Sequence, residues 1–141
     1  MVTIPSDYGY VMMSIAATWI ANIYLMKQVM KARERLGVKY PLLYAEGDSA
    51  NAREFNCVQR GHQNMLETWA PVTTLMLLSG LHFPCSAAVL GVVWTAARII
   101  YANGYATGKP NGQETGSILA HLAELPLLTM TAIAGWKFVT N

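Results

Sequence analysis

Charged side chains are scarce in this sequence. Only 13% of its 141 residues are Asp, Glu, Lys or Arg, whereas 53% are hydrophobic, and soluble domains average about 25% charged residues. Two stretches, 8–26 and 68–97, contain no charged residue at all. Long uncharged runs are typical of helices that cross a bilayer, because one span needs about 20 mostly apolar residues. We therefore predict an integral membrane protein.

Cysteine and histidine are also sparse, with two and three residues. Cys57 and Cys85 are expected at opposite ends of helices about 30 Å long, much farther apart than the roughly 6 Å that a disulfide spans. We expect both to be free thiols. His62, His82 and His121 lack the spacing of metal ligands, so we expect no metal site.

Positive charge is concentrated in one part of the chain. Seven of the ten Lys and Arg residues lie between residues 27 and 60, and short loops rich in these residues stay in the cytosol. We predict that the first loop is cytosolic, that the turn near His82 lies on the opposite side, and that the loop with Lys109 is cytosolic again. The net charge of only +2 gives no indication of a nucleic-acid partner.

Turn-forming residues divide the apolar sequence into four helices. The uncharged run 68–97 is too long for one span, and Gly80, His82 and Pro84 predict a tight turn inside it. The last apolar stretch contains a single internal acid, Glu124. We therefore predict a single transmembrane domain over residues 1–141, an all-α integral membrane four-helix bundle. Its helices are expected at about 8–36, 52–79, 85–106 and 115–139.

Two polar stripes lie within the predicted spans. They consist of Arg60, Asn64 and Glu67 on the second helix and of Arg98, Tyr101 and Tyr105 on the third. Within each stripe the residues are three or four positions apart, which places them on one face of a helix, whereas His62 points away from the first stripe. Ionisable side chains in a span usually face the bundle interior or a wet cavity, and they often mark function.

The stripes have two interpretations. One is an interhelical ion-pair network of Arg60 and Glu67, with the tyrosines as an interfacial aromatic belt. The other is a pocket for a small zwitterion, in which arginines hold carboxylates, Glu67 takes an ammonium group and Asn64 bonds a peptide amide. Glutathione carries these groups, and so do many peptides. The spacing therefore predicts a polar site and leaves its ligand open.

Several separated segments resemble one known family. The segment FNCVQRGHQNMLE, residues 55–67, resembles the helix-two signature of the membrane-associated proteins in eicosanoid and glutathione metabolism, the MAPEG family. Three further segments agree in order and spacing, namely DYGYV (7–11), KARERLGVKYPLLYA (31–45) and YANGYATGKP (101–110). Within the family, the chain is most similar to the type 3 microsomal glutathione S-transferases.

The resemblance implies a homotrimer with glutathione sites at subunit interfaces on the cytosolic side. The implied function is a membrane-bound glutathione transferase that conjugates glutathione, its co-substrate, to lipophilic electrophiles or acts as a peroxidase on lipid hydroperoxides. The implied location is the endoplasmic reticulum membrane, with other organelle membranes as alternatives. The alternative function is a non-catalytic, lipid-presenting scaffold of the same family.

The resemblance also implies which residues bind glutathione. The matching positions are Arg33, Arg60, His62, Asn64, Glu67, Arg98, Tyr101 and Tyr105, with Arg33 reaching the site from the adjacent subunit. Catalysis needs a group that favours the thiolate, which is the nucleophile. Relatives have basic residues in the loop before the fourth helix, and here that loop contains only Lys109. We expect Arg98 and Tyr105 to be the catalytic residues, with Lys109 as the alternative.

Overall fold

The chain is all-α throughout the part that the computed structural model describes, residues 4–109 and 111–140. Its four helices are α1 (Tyr8–Leu36), α2 (Ala50–Gly80), α3 (Pro84–Ala106) and α4 (Glu114–Thr140). The predicted four-helix, all-α architecture is confirmed. Cys57 and Cys85 are free thiols, as expected.

The ends of the helices follow from local sequence signals. Gly37 ends α1 in the left-handed conformation, with φ of 72°, which glycine adopts without a steric penalty. Ser49 caps α2, because its hydroxyl accepts a hydrogen bond from the backbone N–H of Ala52 at 3.1 Å. This cap lets α2 begin at Ala50 rather than at residue 52. Pro84 occupies the first turn of α3, where its missing N–H costs nothing.

Three helices, α1, α3 and α4, are long and apolar enough to cross a bilayer. The remaining helix, α2, is also long, with 31 residues, but it carries Arg60, His62 and Glu67 near its middle. A helix of this composition is tolerated among spanning helices when its polar groups meet protein instead of lipid. In agreement with this requirement, Gln59 of α2 is only 4% exposed.

The helices α2 and α3 form the centre of the bundle. They contact each other, and each of them contacts both α1 and α4, whereas α1 and α4 share no contact within residues 4–109 and 111–140. The core between the helices contains Met65, Trp94 and Leu127, all fully buried. Large apolar side chains such as Ile20 and Leu122 point outwards and are more than half exposed, as expected for surfaces that face lipid tails.

Glycines allow the helices to approach each other closely near the polar stripes. A Cβ atom on Gly61 of α2 would lie 2.9 Å from the Cα of Ala102 of α3. A Cβ atom on Gly116 of α4 would overlap the backbone of Tyr101. Small residues at such crossings are typical of membrane bundles, where tight van der Waals packing stabilises helix association. The close packing fixes α3 between the other two helices at the depth of the polar residues.

Candidate functional site

The polar stripe on α2 contains an ion pair within that helix. Nη1 of Arg60 lies 2.7 Å from Oε1 of Glu67, and the two side chains are 37% and 44% exposed. Of the two interpretations, the interhelical network does not describe this pair, because the two residues are two turns apart on one helix and their long side chains reach along it. Since both side chains remain accessible, a ligand with a carboxylate and an ammonium group could bind this pair.

A second contact joins the stripe on α2 to the stripe on α3. Nη1 of Arg98 donates a hydrogen bond of 2.6 Å to Oδ1 of Asn64. Arg98 is only 4% exposed, so its guanidinium group lies between the helices and not at the surface. Its Nε atom is buried and has no hydrogen-bond partner among the residues that the structure describes. The polar stripes of α2 and α3 therefore form one continuous cluster.

The cluster extends to α4 through Glu124. Nη2 of Arg98 lies 2.8 Å from Oε1 of Glu124, and the indole nitrogen of Trp94 donates to the same oxygen at 2.8 Å. The other carboxylate oxygen lies 3.0 Å from Nδ1 of His121. Together these contacts compensate the buried charge of Arg98 and hold α4 against α3.

The ion pair between Arg98 and Glu124 was not predicted, although the sequence contains a signal for it. Each residue is the lone charge in an otherwise uncharged stretch of a predicted span. Opposite charges within spans usually pair with each other, so the two were candidates for a contact between helices.

The tyrosines of α3 lie beside the buried arginine. The rings of Tyr101 and Tyr105 are 5.8 Å apart. The Cζ atom of Arg98 lies 5.7 Å from the centre of the Tyr101 ring and 5.2 Å from that of Trp94, distances at which a cation is attracted to an aromatic face. Tyr101 is buried, whereas Tyr105 is half-buried, so the Tyr105 side chain is more accessible to a ligand.

Two of the predicted site residues make their contacts elsewhere in the chain. Nη1 of Arg33 donates to the backbone oxygen of Leu42 at 2.8 Å, and its guanidinium group lies over the rings of Tyr40 and Phe55. These contacts hold the loop between α1 and α2 against the end of α1.

His62 points to α1, in the direction opposite to the stripe on its own helix. Its Nε2 atom lies 2.9 Å from Oδ1 of Asn22. Neither Arg33 nor His62 is brought into the cluster of Arg98, Asn64 and Glu124 within the protomer.

Lys109 is exposed after the end of α3. The turn in which it lies is held close to the helix, since a Cβ atom on Gly104 would overlap the backbone of Gly112. No group of three or more His, Cys, Asp or Glu residues in 4–109 and 111–140 could hold a metal ion.

A groove of about 260 Å³ runs between α2 and α4 next to the cluster. Glu67 and Thr68 lie at its polar end together with Glu124. The rest of its lining is apolar and consists of Pro71, Val72, Leu75, Leu125 and Leu128. This arrangement brings an apolar surface directly to two carboxylates of the polar cluster.

A comparison with protein-family models gives one match over most of the chain. The model described as the MAPEG family matches residues 11–135. The matched region includes parts of all four helices and every residue of the polar cluster. It also extends beyond residue 110, where the resemblance of the sequence segments ended.

Proposed function

Since the chain belongs to the MAPEG family of membrane proteins, we propose that it is a membrane-bound glutathione transferase, most similar to the type 3 microsomal enzymes. It activates glutathione as a thiolate and transfers it to a lipophilic electrophile, or uses it to reduce a lipid hydroperoxide. The observation that carries this proposal is the polar cluster built around Asn64 and Arg98. Burying such a cluster among membrane-spanning helices costs free energy. Ionisable residues at this depth therefore usually mark a functional site.

Glutathione has two carboxylates, one ammonium group and two peptide amides, and the cluster offers a partner for each of these three kinds of group. Arg60 binds a carboxylate, Glu67 binds the ammonium group and Asn64 bonds the peptide backbone. Tyr101 and Tyr105 line the site from α3 beside Arg98. The ion pair of Arg60 and Glu67 preorganises both charges, because each holds the other in place before the ligand arrives.

A homotrimer completes this site. Arg60 and Glu67 are more than a third exposed on a helix that packs among membrane spans, and lipid tails cannot solvate such charges. A neighbouring copy of the chain that covers this surface shields these two charges from the lipid tails. In the trimer, Arg33 of the adjacent protomer contributes to the site, and His62 is a further candidate ligand by its position in the helix-two segment. The site faces the cytosol, and the membrane is that of the endoplasmic reticulum.

The catalytic step depends on the protonation of the thiol. A thiol with a pKa of about 8.5 is mostly protonated at neutral pH, so the site must favour the thiolate. Tyr105 donates a hydrogen bond directly to the sulfur. Arg98 lies beside it and adds a weaker positive potential, because Glu124 compensates part of its charge. Lys109 is the alternative cation. In conjugation, the thiolate sulfur forms a bond to an electrophilic carbon. The displaced electron pair either leaves with a leaving group or, when the sulfur adds to an activated double bond, takes up a proton from water. In peroxide reduction, two glutathione molecules become a disulfide, and the hydroperoxide becomes an alcohol and water.

The acceptor reaches the site from the bilayer. The groove between α2 and α4 has an apolar lining of side chains such as Leu75 and Leu128 and ends at Glu67 and Glu124. A lipophilic molecule dissolved among lipid tails can enter such a groove without passing through water. Its reactive end then lies next to the proposed glutathione site, so proximity and orientation contribute to the rate.

The second candidate function is a non-catalytic scaffold that presents lipids. Two observations favour it. The turn before α4 carries Lys109 as its only basic residue, and Glu124 compensates the buried charge of Arg98. A scaffold needs neither a free cation nor a thiolate.

The two functions are separated by assays on the purified protein in detergent. Conjugation of glutathione to a lipophilic electrophile and reduction of a lipid hydroperoxide are measured, and glutathione is titrated while the ultraviolet absorbance of the thiolate is recorded. Activity in either assay together with a thiolate signal supports the enzyme. Glutathione binding with neither activity supports the scaffold, and no glutathione binding at all overturns the proposed site.

A further inference from the structure

A chain of hydrogen bonds crosses the bundle from α4 to α2. Glu124 of α4 accepts from Nη2 of Arg98 of α3 at 2.8 Å, and Nη1 of the same guanidinium group donates to Oδ1 of Asn64 of α2 at 2.6 Å. Arg98 is 4% exposed and the Glu124 side chain is 20% exposed, so water competes weakly with either bond. Three helices are thereby joined through one buried arginine.

The chemistry of arginine fixes the orientation of the Asn64 amide. A guanidinium group only donates hydrogen bonds, whereas an asparagine amide has one accepting oxygen and one donating nitrogen. The atom of Asn64 that faces Arg98 must therefore be the oxygen, and Nδ2 is turned away from it. Within the described part of the chain, Nδ2 of Asn64 has no protein acceptor, so the amide offers its N–H groups to a ligand.

Glu124 is the residue that keeps Arg98 in this position. Its carboxylate is itself fixed by the Trp94 indole, at 2.8 Å, and by His121, at 3.0 Å. Without Glu124 the guanidinium group would be a buried charge without compensation, and it would turn to another acceptor. The carboxylate of Glu67 lines the same groove as Glu124, so it is one candidate.

We propose that Glu124 is a positioning residue of the glutathione site. By holding Arg98, it fixes the Asn64 amide with Nδ2 directed at the ligand, so that Asn64 recognises an acceptor oxygen, a peptide carbonyl or a carboxylate, and not a peptide N–H. This inference rests on the proposed function, since it takes glutathione as the ligand. It adds a residue of α4, which acts through Arg98 and Asn64, to the groups that determine binding.

The first test uses the full-length protein in detergent, with glutathione titrated by calorimetry. Glu124→Ala is expected to raise the Kd for glutathione about tenfold, because one oriented hydrogen bond to the ligand is lost. Glu124→Gln is expected to restore most of the affinity, since its amide oxygen still accepts from Arg98 and Trp94. Glu114→Ala removes an acid from the first turn of the same helix and is expected to leave the Kd unchanged.

Kinetics separate positioning from a general loss of structure. In Glu124→Ala the KM for glutathione is expected to rise in parallel with the Kd, whereas Glu124→Gln is expected to keep both KM and kcat within about threefold of the wild type, because its amide oxygen still holds Arg98. An equal fall in kcat in Glu124→Ala and Glu124→Gln would overturn the positioning role, and so would a Kd in Glu124→Ala equal to that of the wild type.

Asn64→Asp tests the orientation even if Glu124→Ala does not fold. The new side chain keeps an oxygen towards Arg98 and replaces the N–H groups with a second acceptor. It should lower glutathione affinity by at least about tenfold, since a carboxylate oxygen of the new side chain would face an acceptor oxygen of glutathione. Unchanged glutathione affinity in Asn64→Asp would overturn this inference and leave the proposed function intact. A wild-type protein that binds no glutathione would overturn the proposed function and this inference with it.

Discussion

Nη2 of Arg98 lies 2.8 Å from Oε1 of Glu124, and this ion pair joins α3 to α4 inside the bundle. Both residues are isolated charges in helices that are apolar enough to cross a bilayer. A pair of this kind is costly to bury, and removing one partner is far more harmful than removing both. The following predictions test the stability of the bundle and the proposed chemistry of its polar cluster.

Arg98→Met should destabilise the protein by about 3 kcal/mol, because it leaves the carboxylate of Glu124 buried without its cation. The double variant Arg98→Met/Glu124→Leu should recover most of this loss, since neither charge remains. Thermal unfolding of both variants in detergent measures the difference. A double variant as unstable as the single one would show that the ion pair contributes little and that the Arg98 side chain acts through packing.

Arg60→Ala should raise the KM for glutathione by about tenfold to a hundredfold. The reason is that it removes a charge-assisted contact to the ligand and also frees Glu67 from its partner. Arg53→Ala is the matched control, since Arg53 is an exposed arginine of the same helix that pairs with Asp48. Steady-state kinetics with varied glutathione give the KM of each variant. Equal KM values for Arg60→Ala and Arg53→Ala would argue against a ligand role for Arg60.

Tyr105→Phe should lower kcat for conjugation by about a hundredfold while glutathione still binds, because only the hydrogen bond to the sulfur is removed. The thiolate absorbance of bound glutathione should fall in parallel. Tyr10→Phe, at an exposed position of α1, should leave both quantities unchanged. A normal thiolate signal in Tyr105→Phe would show that Lys109 or Arg98, and not Tyr105, stabilises the thiolate.

Gly116→Ala should destabilise the bundle by about 2 kcal/mol, since the new methyl group would overlap the backbone of Tyr101 and force α3 and α4 apart. Gly135→Ala lies on the same helix, and no atom of residues 4–109 or 111–140 lies within 4 Å of the added Cβ. It should be neutral or stabilising by up to about 1 kcal/mol, because alanine has the higher helix propensity. Thermal unfolding of the two variants provides the comparison, and similar midpoints would refute the close approach.

Most of the fold was predictable because its signals are local. Uncharged runs indicated the spans, and the residues around His82 indicated the turn between α2 and α3, which lies where it was expected. The start of α2 at Ala50 depends on the Ser49 hydroxyl, which caps the helix. Capping depends on side-chain geometry, which the spacing of residues alone does not give.

The polar cluster was predictable only in part. Periodicity correctly grouped Arg60, Asn64 and Glu67 on one face of a helix, since that depends on the geometry of a single element. It did not reveal that Arg60 pairs within α2, while Arg98 pairs with Glu124 across the bundle. Such partners depend on how helices pack, which a linear pattern does not contain.

The contacts of Glu124 show the same difference between contacts within one helix and contacts between helices. Its 3.0 Å contact with His121 joins two positions that are three residues apart on one helix, so helix geometry alone brings them together. Its bond to the Trp94 indole was not expected, because nothing in the sequence brings those two positions together. Local bonds follow from the helix, whereas bonds between helices follow from the fold.

The central position of α2 and α3 has an energetic consequence. Across residues 4–109 and 111–140, α1 and α4 share no contact, so one can influence the other only through the central pair. Stability changes from substitutions in α1 and in α4 should therefore sum, because independent sites are additive. In this sense the protein consists of two overlapping three-helix units, α1–α2–α3 and α2–α3–α4, and each can accumulate substitutions without regard to the outer helix of the other.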